Sequence, residues 1–357
     1  QWRPLVAYYY IMEVIFMNYP KVEIDTNKIK HNVEIIVNSC KDKGISVAGV
    51  TKVFCANPEI TKAYIDGGVD YLADSRIENL IKLKDFNVPK ILLRLPMKSE
   101  AELVVEYADI SLNSEIETIR SLSEKAMGKN IIHKIILMVD LGDLREGYYD
   151  EEEIYTAVEE ILELEGIELI GIGTNLTCYG GVIPDNENLG RLVSIGKNIE
   201  EKYNVNLEII SGGNSSSLHL ILEDKIVPGI NNIRLGESLV LGRETAYGNK
   251  IENTYEDAFQ LVVEIIEVKN KPSVPTGKIG MDAFGNEPNF VDKGIRKRII
   301  VAIGRQDVDL DGLIPLDENL NIIGGSSDHL LLDGTESEID YKVGDKVRFN
   351  LTYGGIL

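Results

Sequence analysis

Eight short apolar runs, each followed by a helix-length stretch, recur between residues 45 and 235, and nothing else in the chain restricts its fold as tightly. The runs are 45–50, 71–73, 90–95, 109–112, 133–139, 167–174, 207–211 and 232–235. They are short and mainly apolar, as buried strands read. Charged helical stretches such as 149–165 and 186–203 separate them. Eight strand and helix units over about 190 residues favour a closed (β/α)8 barrel over an open doubly wound sheet. Ahead of the barrel, 22–25 leads into a helix with Ile29, Val33, Ile36 and Val37 on one face.

After about residue 241 the texture changes. Residues 259–268 alternate apolar and acidic, and 298–303, 320–323, 330–332 and 346–351 are short runs separated by turn residues. The pattern predicts a second, mainly antiparallel β domain, with the barrel at 17–245 and the β domain at 246–357, and with a possible contribution to the latter from the N-terminal strand. Residues 353–357 read as an interrupted strand, so the natural C-terminus is expected to be missing or very short. Residues 1–16 hold the only tryptophan and match no periodicity that continues; they are expected to be an extension, with Met17 as the natural start.

A chain of 357 residues, 44% hydrophobic, with a formal net charge of -21, reads as a soluble globular protein. The negative charge disfavours nucleic acid and anionic membrane as partners and leaves small molecules. Cys40, Cys55 and Cys178 form no metal-binding spacing, and the odd count fits a reducing compartment. No metal is expected, and the cytoplasm is the expected location.

Lys52 directly follows the first barrel run. The carboxyl ends of barrel strands are where catalytic groups collect, and an amine in a dry, apolar pocket loses its proton more readily and attacks aldehydes. Polar clusters follow the last four runs: 140–147 with Arg145, 174–181 with Asn175, 211–217 with Asn214 and Ser215, and 231–238 with Arg234, Gly236 and Glu237. Taken singly these read as solvated loops, an Asx turn or N-caps. Two glycine-bearing loops after the seventh and eighth strands, however, stand where barrels commonly bind phosphate. Arg234, flanked by apolar residues, is either paired with an anion or ring nitrogen or bridged to a core carboxylate such as Asp25. A reactive lysine, a phosphate cradle and arginines between them describe a site for pyridoxal 5′-phosphate.

Lys52, Arg145-Glu146-Gly147, 171–175, Gly213-Asn214-Ser215 and 233–237 occur in the order and at about the spacing of the fold-type III pyridoxal-phosphate enzymes, and the chain resembles the alanine racemase family, its ornithine racemase branch above all. Motifs at 280–285, 302–307 and 325–329 extend the resemblance over about residues 20–357. The resemblance implies that Lys52 forms a Schiff base with the cofactor, that Arg234 meets the pyridine nitrogen, and that Ser215 with the backbone of Gly236 and Glu237 holds the phosphate. It also places Arg145 near the cofactor's phenolic oxygen and the substrate carboxylate, and implies a homodimer with sites at the subunit interface. The chain departs from alanine racemases in carrying Ala56 in place of a phosphate-binding tyrosine and Asn175 in place of a histidine. It also has 275–278 where their second catalytic tyrosine would come.

The expected activity is racemisation of ornithine or a related diamino acid. An arginine at the ring nitrogen stays protonated and cannot give up its proton, which weakens the ring as an electron sink and favours a two-base mechanism. Asp282 is the candidate for the second base or for meeting the side-chain ammonium; Glu237, Asp307 and Asp328 are the other acidic candidates. Alternatives are an alanine or broad-specificity racemase, a decarboxylase of the same fold type, and a non-catalytic pyridoxal-phosphate carrier. The carriers lack a β domain, and the decarboxylases are expected to run larger and to carry a cysteine motif there; all three cysteines here precede residue 179.

Overall fold

The computed structural model describes residues 19–281, 285 and 287–357. The extension expected at 1–16, the start expected at Met17 and the candidate Asp282 lie outside them. The described residues form two compact units, one of 24–259 with 356–357, the other of 19–23 with 260–355.

In the first unit, Asp25 opens helix α1 (Thr26–Lys41) by accepting the amides of Asn27 and Lys28 at 3.0 and 3.1 Å. That helix buries Ile29, Val33, Ile36 and Val37, the face read from the sequence. It follows a short strand, β1 (Lys21–Ile24). Eight parallel strands then close into a barrel: β2 (Ser46–Val50), β3 (Tyr71–Asp74), β4 (Lys90–Leu92), β5 (Ile110–Asn113), β6 (His133–Met138), β7 (Ile167–Gly173), β8 (Ile209–Ser211) and β9 (Asn232–Leu235). They pair in chain order, and β2 closes on β9 with Gly49 opposite Leu235. Each expected run contributes one of them. Around them stand α2 (Pro58–Asp66), α3 (Ile77–Lys82), α4 (Ala101–Tyr107), α5 (Ile116–Gly128), α6 (Glu151–Leu162), α7 (Asn186–Tyr203), α8 (Leu218–Leu222) and α9 (Glu237–Leu241).

Side chains alternate across each strand, so one run fills two layers. On β6, Ile136 and Met138 join Ala48, Val50, Ile91, Leu112 and Ile170 in one cluster, while Ile135 and Leu137 pack with Ile154, Val158 and Leu192 of the helices. Both clusters are buried, at roughly 1.5–3 kcal/mol per large side chain. A continuous apolar run is what such two-sided burial requires.

The compact first unit runs on to Phe259, past the expected division at 245/246. Residues after α9 return to α1: Asn32 exchanges two hydrogen bonds with the Tyr255 backbone, at 2.7 and 2.8 Å, and Lys28 pairs with Asp257 at 2.7 Å.

The second unit is a sheet in which β12 (Leu313–Pro315), β15 (Lys346–Leu351), β10 (Phe259–Pro272), β11 (Ile295–Val301), β14 (Leu330–Asp333) and β13 (Asn321–Gly325) are successive neighbours, and β1 also pairs with β10. The successive pairs are antiparallel. Strand β12 was not expected; it is three residues long and ends in proline, as an edge strand can. The interrupted strand expected at 353–357 is instead a short helix, α10 (Tyr353–Ile356), preceded by Thr352, whose hydroxyl accepts the Gly355 amide at 3.4 Å.

Candidate active site

Strand β2 delivers Lys52 into a three-residue 3₁₀ turn, Lys52–Phe54, at the carboxyl end of the barrel. The turn ends on Cys55 and Ala56, both in the left-handed region at φ 51 and 52. Thr51, just before the lysine, is fully buried and donates its hydroxyl to Asp74 Oδ2 at 2.7 Å. Lys52 itself is half-buried.

Beside it, the loops after β8 and β9 converge. Gly213, at φ 108, lets the chain turn sharply into Asn214, whose side chain accepts the Ser216 amide at 2.8 Å. Ser215 is buried, with its hydroxyl 3.1 Å from that of Ser238 and approached by the amides of Gly236 and Ser238 at 3.4 and 3.3 Å. Hydroxyls and amides from two loops thus face one spot, a donor set suited to an anionic oxygen. Glu237 is half-buried; burial raises its carboxyl pKa, while the cations Arg243 and Lys52 draw it down.

Arg234 points from β9 into a polar pocket and is only 4% exposed. It donates to Ser211 Oγ at 2.5 Å and to Thr174 O at 2.7 Å. Neither partner is a carboxylate, so the alternative of a bridge to Asp25 fails; Asp25 caps α1 instead. Burial lowers the Arg234 pKa to about 10, against the pull of Glu146, and it remains a cation at neutral pH.

The loops after β6 and β7 are stapled by Asp143, which accepts Thr177 and Val182 amides on one oxygen (2.9 and 3.1 Å) and the Tyr179 amide on the other (2.9 Å). Burial alone would raise its pKa, but these amides hold it below the usual range. Gly147, at φ 122, lies so close to Asp140 N that a Cβ there would stand 2.6 Å away. Arg145, in the loop after β6, forks onto its neighbour Glu146. Asn175 accepts the Asn214 amide at 2.9 Å.

Lys52, Asn175, Asn214, Ser215, Arg234, Gly236 and Glu237 therefore sit on the carboxyl ends of β2, β7, β8 and β9 in one unit. Ser211, Thr174, Ser238, Glu146 and Asp143 belong to the same surroundings and were not singled out; Ser211 and Thr174 stood in the quoted loops without any sign that an arginine would hold them. In the second unit, Asp307 accepts the Gly304 amide at 3.0 Å, and Asp328 lies 2.9 Å from His329 Nδ1.

Three buried polar atoms on this rim lack a hydrogen-bond partner among the described residues: Thr174 Oγ1, Asn175 Nδ2 and Ser216 Oγ. Buried groups of this kind are costly unless a partner arrives. A closed parallel barrel with a lysine, a buried arginine, a hydroxyl cradle and unmet polar groups gathered on its carboxyl rim defines a barrel enzyme that takes a polar, anionic small molecule.

Residues 24–244 match the family model described as "Alanine racemase, N-terminal domain". The chain is 52% identical to an ornithine racemase of Acetoanaerobium sticklandii, over 95% of this chain and 96% of the relative. It is 41% identical to a lysine racemase of Thermotoga maritima, over 96% of each. An alanine racemase structure from Bartonella henselae, with covalently bound pyridoxal phosphate, has the same fold at a TM-score of 0.69 and 19% identity, over 92% of this chain and 89% of that one. The chain belongs to the alanine racemase family.

Proposed function

We propose that this amino-acid racemase interconverts L- and D-ornithine, or a closely related diamino acid, with pyridoxal 5′-phosphate held at the carboxyl rim of the barrel. The observation that carries the cofactor is the gathering of Lys52, Arg234 and the Ser215 cradle around buried polar atoms with no partner. The diamino-acid substrate rests on the kinship with an ornithine and a lysine racemase at 52% and 41% identity.

The residues fit the cofactor. Ser215 and Ser238 hydroxyls with the Gly236 and Glu237 amides would hold its phosphate, Arg234 would donate to its ring nitrogen, and the unmet Asn175 amide would lie against the ring. When bound, pyridoxal phosphate supplies a conjugated ring that spreads the negative charge left when Cα loses its proton. Lys52 would hold the cofactor through its aldehyde, and its Nζ would take and return the Cα proton on one face. Arg234, still charged at neutral pH, keeps its own proton and so limits how long that charge is tolerated. A short-lived charge favours a second base on the opposite face over one lysine serving both.

Asp282 is assigned either that base or the side-chain ammonium, and Arg145 the substrate carboxylate once Glu146 releases it. The two roles of Asp282 separate kinetically. Loss of Cα exchange from one enantiomer only in Asp282→Asn marks the base, and a raised KM for ornithine against a neutral amino acid marks the ammonium site. The reading includes a homodimer in which a second copy's β unit completes the site, and a cytoplasmic location, in keeping with thiols that stay free at Cys40, Cys55 and Cys178.

The test is direct. Purified protein incubated with pyridoxal phosphate should turn yellow, carry the label on Lys52 after borohydride reduction, and convert L-ornithine to a racemic mixture. A colourless protein that racemises nothing would remove the reading.

A further inference from the structure

The turn that carries Lys52 is held in an unfavourable shape. Cys55 and Ala56 are consecutive non-glycine residues in the left-handed region, where L side chains crowd the following carbonyl. Such a conformation persists only where its surroundings determine it.

A closed circuit of hydrogen bonds surrounds this turn. On the near side, Thr51 N donates to Ala73 O at 2.8 Å, and its hydroxyl lies 2.7 Å from Asp74 Oδ2. Asp74, fully buried on β3, takes the Arg76 amide at 2.9 Å and Asn79 Nδ2 at 3.1 Å on its other oxygen. Asn79 Oδ1 in turn accepts Lys82 Nζ at 2.8 Å, and the same ammonium donates to Cys55 O at 3.0 Å. The path runs from the residue before Lys52, through one helical turn of α3, to the carbonyl that fixes ψ at Cys55. Lys82 is otherwise an exposed side chain. Its ammonium reaches across to the loop carbonyl of Cys55 as well as to Asn79, bonds that add nothing to the apolar core and tie α3 to the lysine turn.

We propose that Lys82, through Asn79 and Asp74, is a positioning residue that aims the Lys52 amine. The inference rests on the reading of Lys52 as the cofactor-bonding lysine. It assigns to α3, an element with no candidate site residue, control over how fast that amine finds its target.

The experiment mixes cofactor-free protein with pyridoxal 5′-phosphate and follows the visible absorbance of lysine-bound cofactor, with borohydride trapping at Lys52. In parallel it measures binding of pyridoxine 5′-phosphate, which has the same ring and phosphate but no aldehyde. Lys82→Met should slow covalent capture by about tenfold or more, since a misaimed reacting atom is costly. Pyridoxine phosphate affinity should stay within about twofold, because that ligand does not use the amine. Lys82→Arg, which keeps a donor, should recover most of the rate, and Thr51→Val, which cuts the circuit on its other side, should slow capture as the Met variant does. Capture at the wild-type rate in Lys82→Met overturns the proposal. Equal loss of capture and of pyridoxine phosphate binding also overturns it, since that marks general collapse of the site. A wild-type protein that captures no aldehyde and binds neither compound sinks the functional reading itself, and the positioning role with it.

Discussion

The two ends of the barrel are made from the same eight strands, yet they treat buried polar groups in opposite ways. At the amino end, Lys90 Nζ donates to Phe86 O and Val88 O at 2.9 and 3.0 Å, and Asp109 accepts the Lys90 amide at 2.7 Å. Asp70 accepts the Val47 amide at 2.8 Å, and the buried His133 lies 2.8 Å from Ser111 Oγ. At the carboxyl end, Thr174 Oγ1, Asn175 Nδ2 and Ser216 Oγ are buried with no partner among the described residues. The polar groups named at the amino end are answered within the fold, whereas these three at the carboxyl end are not. The difference teaches where to look before any residue is recognised.

The largest expected effect comes from the carboxyl end. Lys52→Ala should lose racemisation by at least about 10⁴-fold, the upper range for a proton-transferring group, with an unchanged circular dichroism spectrum. Residual turnover near wild type would mean that the rim is not the catalytic end.

Arg234→Glu comes next. A carboxylate there meets the Thr174 carbonyl that the guanidinium now caps, at a cost of about 3 kcal/mol in unfolding by denaturant. If the cofactor nitrogen sits as proposed, this variant should also gain amino-group transfer as a side reaction, measurable as pyridoxamine phosphate. Its absence would move the nitrogen elsewhere.

The amino end has its own signature in pH. Burial holds the His133 imidazole neutral, with its pKa pushed down to about 4, while Asp109 pulls weakly the other way. Between pH 6.5 and 4 the unfolded chain binds a proton that the folded chain refuses, so stability falls as pH falls through that window. By pH 5 the loss from this group is about 2 kcal/mol. His133→Gln should flatten that part of the profile in chemical denaturation measured at pH 7.5 and pH 5.

The smallest effects make the sharpest contrast. Ser111→Ala leaves His133 and Asn113 short of a partner and should cost about 1–3 kcal/mol with little change in cofactor affinity. Thr174→Val removes a hydroxyl with no partner among the described residues, so stability should move by only a few tenths of a kcal/mol while cofactor retention in dialysis weakens. If both variants lose stability alike, the two ends are not different in kind.

Much of this plan was legible in the chain. The barrel strands were legible as short, mainly apolar runs, with Lys52 and Ser215 just beyond two of them and Arg234 inside the last. What was not legible depends on residues far apart in sequence. Asp143 staples amides 34 to 39 positions away, and nothing near it names Thr177, Tyr179 or Val182 as partners. The three-residue β12 escaped because so short an edge strand carries no periodicity.

The pairing of β2 with β9 has a consequence for the order of events in the cell. Ala48 lies opposite Arg234, so the lysine strand and the arginine strand are neighbours in space although they open and close the barrel in sequence. On a ribosome, Lys52 emerges long before Arg234, Gly236 and Ser238 exist to stand beside it. No nascent fragment that stops short of α9 can assemble this rim, so any ligand of the rim must wait for a completed barrel. A ligand that binds only the finished fold draws the folding equilibrium toward it, so the proposed cofactor, added during synthesis, should raise the yield of folded protein.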